Sequence, residues 1–300
     1  MNTRNKFTSL LPILVLIVSA GCRTISTQNL QSFSAAVSTA KLQSDQAFNA
    51  VNGLTNSAVI DYAAAQPTLK DENFVVVLDQ ASIGKWDDAF AQLVQYSQKL
   101  ATLTSGSSSE DFQNAMVGLG TQINTTGQTL QSANLIGSAP NAPPGLAAGF
   151  TKLGGLLLSA KAESDAKKIA TKADPGIQDV LNGMADQIGN SPSDGIRGTV
   201  SANWTLVKAG QKVAFLKATS AADKRTIAAA YAQLLIQQGQ QDMALADLER
   251  SLRALAQAHH ALASGSDLDV TSAIQTLNTE ASDTNALYNK FNAIKKSPGE

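Results

Sequence analysis

From Ile227 to Leu262 the chain holds one helical phase for thirty-six residues. Ile227, Tyr231, Leu234, Gln238, Gln241, Leu245, Leu248, Leu252, Leu255, His259 and Leu262 step by four and three, with two glutamines and a histidine set among the apolar side chains. That spacing puts all eleven on one face of a helix, as in a heptad seam. Ser220 and Asp223 form a capping pair just before it. The pattern predicts a single helix over 221–263, roughly 65 Å long at ~1.5 Å per residue. A seam of that length must be covered by other long helices. Leu30, Phe33, Val37, Ala40, Ser44, Ala47, Val51, Leu54 and Ala58 repeat the period, and Pro67 ends that segment. Period-two alternation is rare. The expected fold is all-α, an elongated bundle of long amphipathic helices. Aromatic residues make up only 5% of the chain, so Ala and Leu must supply most of the packing, in thin and closely spaced helices.

A helical hairpin is written twice. Leu93, Leu103, Ser105, Gly106 and Ser107 correspond to Leu252, Leu262, Ser264, Gly265 and Ser266. After a one-residue gap, Ala115, Met116, Leu119, Thr126 and Leu130 correspond to Ala273, Ile274, Leu277, Thr284 and Tyr288. Each copy reads as helix, Ser-Gly-Ser turn, helix. The glycine suits a left-handed C-cap, and Ser107 with Glu110, and Ser266 with Asp269, cap the following helix. The prolines of "SAPNAPPGL" mark a connection at 138–145 between a helical half at 22–137 and a second at 146–300. The pattern leaves both arrangements open: two separate halves, or long helices packed across the connection as one elongated bundle. In the second half, 146–171 reads as a helix ended near Asp174 and Pro175, with Gly149, Gly154 and Gly155 permitting close backbone approach or a break. A short helix and turn follow, then a helix ending by Ser220.

Residues 1–6 carry Arg4 and Lys6, and residues 7–18 are almost wholly apolar. This is a signal-peptide pattern, too short to span a bilayer, which takes ~20 apolar residues. It ends in "SAGC", with the chain's only cysteine at Cys22. The stretch resembles the lipobox of bacterial lipoproteins, although Ser19 stands where that family usually has Leu. The resemblance covers only the N-terminus. It implies a signal peptide over 1–21, cleavage before Cys22, and acyl chains such as palmitate on that residue. Arg23 follows the cysteine where an Asp would resemble an inner-membrane retention signal, so the implied place is the outer membrane, on its periplasmic side. More than one acyl chain gives durable anchoring.

Without Arg4 and Lys6 the chain has 21 basic and 24 acidic residues, a net charge near −3, against the basic footprint of a nucleic-acid binder. No zinc, phosphate-loop or Gly-x-Ser-x-Gly motif occurs, so no catalytic residue, metal or cofactor is assigned. His259 falls on the long seam beside His260, and reads as a hydrogen-bonded residue near a helix end rather than a general base. The acidic pairs Asp87–Asp88, Glu110–Asp111 and Asp267/Asp269 read mostly as helix starts. Asp242, Asp247 and Glu249 read as a solvated face. Trp86 and Trp204 read as core, while Gln238 and Gln241 need partners if buried.

The functional expectation is a lipid-anchored, non-enzymatic scaffold or protein-interaction subunit of the cell envelope. Its partners are the membrane, through Cys22, and an envelope protein. The rivals are a binder of an apolar or small ligand between helices near the Gly-rich segment, and an envelope-polymer enzyme. Palmitate labelling checks the anchor. The wild-type protein should take up label and fractionate with membranes, and Cys22→Ala should do neither; equal labelling of both forms would refute the assignment.

Overall fold

The computed structural model describes residues 25–296, apart from 65, 67, 70–73, 75–77, 103–108, 132–144 and 160–164. The signal peptide, Cys22, the first Ser-Gly-Ser turn and nearly all of the proline-rich connection lie outside the described residues. Eight helices make up the described chain: α1 (Thr27–Ala64), α2 (Gln80–Thr102), α3 (Ser109–Gln131), α4 (Gly145–Ser159), α5 (Ala166–Ile188), α6 (Gly195–Lys217), α7 (Ala221–Ser264) and α8 (Asp267–Lys296). Together they form an all-α bundle, with no strand among the described residues.

The long seam is realised as the 44-residue α7. Ser220 caps it by accepting from the Asp223 amide at 3.0 Å, and Gly265 ends it at φ 81°, the left-handed geometry that glycine adopts without Cβ strain. From Leu234 to Leu262 every seam position is buried except Gln238, which is half-exposed. Each fully buried Leu contributes about 1.5–3 kcal/mol. Helix α1 runs antiparallel to α7, with Phe33 beside His259 and Val51 beside Gln241. Its own seam is buried from Leu30 to Leu54. Helices α5 and α8 also pack along α7, α8 packs on α1, and α3 packs chiefly on α4. Trp86 and Trp204 are both core residues. Trp86 stands edge-on to Phe48, with ring centroids 5.3 Å apart.

One expected boundary is wrong. The helix placed at 146–171 is two helices, α4 and α5, and Pro175 lies inside α5 rather than ending a helix. Proline inside a helix costs ~3 kcal/mol. The buried face of α5 outweighs this: Ile169, Ala173, Ile177, Val180, Leu181 and Met184 all point inward, while Pro175 itself is exposed. The glycines act through close approach. A Cβ on Gly154 would lie 2.7 Å from the Gly120 carbonyl oxygen, and one on Gly176 would lie 2.8 Å from Leu153 Cα. Backbones of α3, α4 and α5 therefore touch where side chains would hold them apart.

The two proposed hairpin copies agree along their first helix, where Leu93 and Leu252 are both buried, but not along their second: Leu119 and Leu277 match, whereas Met116 is buried and Ile274 half-buried, and Ala273 and Thr284 are buried where Ala115 and Thr126 are half-buried. In the second copy α8 lies along α7, whereas in the first α3 packs mainly on α4 rather than on α2.

Gly154→Val should destabilise the bundle by about 1–3 kcal/mol, the usual cost of overpacking. Gly155, one residue on, meets nothing within 4 Å, and Gly155→Ala should raise stability by about 0.5–1 kcal/mol. Urea denaturation of the two variants checks both signs.

Candidate interaction site and the buried polar relay

Three helices meet through one buried relay. Tyr96 on α2 and His259 on α7 are fully buried, and the Tyr96 hydroxyl lies 2.7 Å from His259 Nε2. The other ring nitrogen, Nδ1, lies 2.8 Å from Asp174 Oδ1 on α5. One tautomer satisfies every atom: Nδ1–H donates to the carboxylate, and Nε2 accepts from the tyrosine. His260, whose side chain is exposed, donates to Asp174 Oδ2 at 2.8 Å. Burial alone would raise the Asp174 pKa, but hydrogen bonds from His259, His260 and Gln178 hold it down to about 2. Burial drives the His259 imidazole below its ordinary value, against the pull of Asp174. Burial and the Asp174 charge push the Tyr96 phenol well above the tyrosine range. A neutral histidine between a neutral phenol and a carboxylate is a structural clamp in which no buried donor or acceptor is left unmade. Its Tyr96 and His259 atoms are closed to solvent, which agrees with the hydrogen-bonded reading of His259.

The acids on α7 differ from their expected role as a solvated face. Asp242 receives a two-pronged bond from the nearly buried Arg197, at 2.8 and 2.9 Å. Glu249 pairs with Arg253. Asp247 is buried, bonded to Arg250, and faces Glu280 and Asp283 of α8. Arg250 also donates to Glu280 at 2.6 Å. Burial pushes the Asp247 carboxyl up to about 6; Arg250 opposes this, and Glu280 and Asp283 reinforce it. The pairs with Arg250 and Arg253 lie at i+3 and i+4 within α7, while Arg197 and Glu280 come from α6 and α8, out of reach of local spacing. Of the remaining acids singled out, Asp87 pairs with Lys41 at 2.8 Å, and Glu110 and Asp111 are exposed in the first turn of α3. Asp269 accepts from the Ser266 hydroxyl at the start of α8.

Gln241 is buried and fully engaged. It accepts from the Trp204 indole N–H and donates to the Val51 carbonyl at 2.9 Å, so it ties α7 to α6 and α1. Gln238, one turn outward, accepts from Lys208 at 2.7 Å.

Beyond Gln238 the outer half of α6 and the first turns of α7 form a hairpin, and the C-terminal end of α1 accompanies it on one face. Tyr62 lies against Gly210, and Tyr62 and Gln66 line that face together with Leu206, Val213, Lys217 and Ile227. Among the described residues, six of the eleven large exposed apolar side chains lie on this hairpin: Leu206, Val213, Phe215, Leu216, Leu235 and Ile236. Leu216 is 81% exposed. A groove of about 460 Å³ runs between the two helices, floored by Phe215, Leu216, Ile227, Ala228 and Tyr231. Lys212 stands 5.9 Å from the Tyr231 ring centroid, and Lys224 stands 5.7 Å from that of Phe215. Cations therefore rim an apolar floor. Over 206–236 there are five basic residues and one acid, so the hairpin carries +4 in a chain of net −1. Sequence reading placed Ile227 and Tyr231 on the seam but missed the site. The available signal was the Lys and Arg cluster bracketing the outer end of that seam.

No protein-family model matches this chain, and no curated protein or solved structure matches it either.

The Asp247 carboxyl makes stability depend on pH. Its folded pKa lies above the unfolded value of 3.8, so its contribution is fully present below pH 3.8 and is lost as pH rises through about 6. Asp247→Asn mimics the protonated form. It should stabilise the protein by about 3 kcal/mol above pH 7, at ~1.4 kcal/mol for each tenfold change in proton affinity, and give no advantage near pH 4. Urea midpoints across pH 4–8 check this; a gap that does not close at low pH would contradict it.

Proposed function

We propose that this protein is a lipid-anchored, non-enzymatic scaffold of a bacterial cell envelope. Cys22 holds it to the outer membrane on the periplasmic side, and the outer α6–α7 hairpin docks a protein partner. The observation that carries the reading is a seam that outruns its own packing. Ile227 and Tyr231 continue the heptad phase of α7, yet both stay half-exposed and open into an apolar groove lined by residues of α6 and α7. Contiguous exposed apolar surface with a polar rim is the mark of an interaction site. The groove is open along the two helices, which suits a macromolecular segment better than an enclosed small ligand. Of the glycines of α4, where a ligand between helices was the alternative, Gly154 is used for backbone contact with α3 and Gly149 for contact with α5. The hairpin also lies at the far end of α1 from the anchoring end. Thr27 to Tyr62 spans roughly 50 Å along the helix axis, so the docking face stands well clear of a membrane that holds the chain near residue 22.

Complementation of a deletion strain tests the reading. The Phe215→Glu, Leu216→Glu double variant should fail to restore function while keeping wild-type helix content and membrane fractionation. Leu42→Glu, at an exposed apolar position on α1, and His260→Ala should restore it. Full complementation by the hairpin variant would contradict the docking role.

A further inference from the structure

We infer that the segment seated in the α6–α7 groove is an amphipathic helix of acidic character from a partner protein; the inference rests on the docking reading above. Shape gives the first argument. Along the body of the bundle α7 packs against α1, α5, α6 and α8, whereas the groove at Ile227 and Tyr231 is lined, among the described residues, by α6 and α7 alone. Two antiparallel helices with half-covered seam residues present the groove into which a third helix lays its apolar ridge, with anchors at i, i+3 or i+4, and i+7. The groove volume of about 460 Å³ accommodates a few such anchors rather than a whole domain face.

Charge selects the chemistry of that helix. The hairpin carries Lys208, Lys212, Lys217, Lys224 and Arg225 against Asp223 alone. Asp223 is already held by the Ser220 hydroxyl, which donates to it at 2.6 Å. Lys212 and Lys224 sit over the aromatic floor with their side chains largely in solvent, so they flank whatever lies in the groove. A helix with Glu or Asp on either side of an apolar stripe meets these cations at the rim and the apolar residues at the centre. That is the arrangement in which interface charges direct recognition and speed encounter. A second copy docking the same face would bring +4 against +4, so the self-paired arrangement is disfavoured. An anionic membrane would share the charge preference, but a bilayer surface offers no side chains to fill a concavity between two helices.

The test is a selection on the lipidated full-length protein held in phosphatidylcholine nanodiscs. The probe is a displayed library of 21-residue helical peptides, apolar at a and d, with every other position either Glu or Lys. The expected result is enrichment of Glu-rich peptides. Binding should fall by roughly tenfold or more on Leu216→Glu, the loss expected of a central anchor. The Lys212→Glu, Lys224→Glu variant should shift the selection toward Lys-rich peptides. All of these positions are exposed or line the groove, and circular dichroism should show an unchanged fold. Enrichment with no charge bias, enrichment of Lys-rich peptides on the wild type, or binding unaffected by either variant would overturn the inference. So would binding to phosphatidylglycerol vesicles that abolishes peptide binding. If the hairpin variant fails complementation but the selection shows no acidic bias, only the acidic-helix inference falls. If that variant complements fully, the docking reading falls with it.

Discussion

The bundle depends on burying the inner length of α7. From Leu234 to Ala263 this helix is covered by α1, α5, α6 and α8, and its leucines at 245, 248, 252, 255 and 262 are closed to solvent. In folded proteins most helical stability comes from tertiary packing of an apolar stripe rather than from intrinsic propensity, and α7 carries such a stripe along the inner length of its 44 residues. The other elements follow from that need. Helix α1 supplies a second long seam of matching phase. Helix α5 lies along α7 through Thr171, whose hydroxyl donates to Ala263 O at 2.9 Å, and Gln178, whose amide donates to Ala256 O at 2.6 Å. Its packing retains Pro175 mid-helix, which propensity alone forbids.

Ala and Leu packing is weakly directional, and two polar sites on the α7 seam supply register. Gln241 joins α7 to Trp204 on α6 and to the Val51 carbonyl on α1. The Tyr96–His259–Asp174 relay joins α7 to α2 and α5. A one-turn slip of α7 would bury each of these groups without its partner, at about 1–3 kcal/mol per unsatisfied atom. The clamps thus discriminate between alternative packings of similar hydrophobic content. Asp247 is different. Its carboxyl is held among Arg250, Glu280 and Asp283, an arrangement that costs stability at neutral pH.

The seams of α1 and α7, their caps and the core positions of both tryptophans were legible because each rests on local periodicity. The glycines of α4 were legible as a choice between close approach and a break; the structure decides for approach at Gly154. Pro175 misled the reading because its cost is local and the compensation is tertiary. The salt links of Asp247 and Glu249 to Arg250 and Arg253 lie within α7 at i+3 and i+4 and were open to a sequence reading, whereas Asp242 looked like part of a solvated face because its cation, Arg197, comes from α6. His259 was recognised as a seam residue, but no spacing in the chain connects it with Tyr96 or Asp174. The groove had the weakest signature. Ile227 and Tyr231 obey the same period as the buried leucines, and periodicity records which face is apolar rather than how much of it neighbours cover.

The same helix therefore has two regimes: an inner stretch locked on all sides, and an outer stretch whose seam residues are half-exposed and left open along an apolar groove. Native-state hydrogen exchange along α7 measures this directly, since local opening free energies range from near zero up to the global value. The amides of residues 245–261 should exchange only through global unfolding. Those of residues 224–233 should exchange roughly a hundredfold faster or more, by local opening, even though both stretches carry unbroken intrahelical hydrogen bonds. Uniform protection along the whole of α7 would contradict the account, because it would mean that the outer hairpin is as fully supported as the core and has no face left to offer a partner.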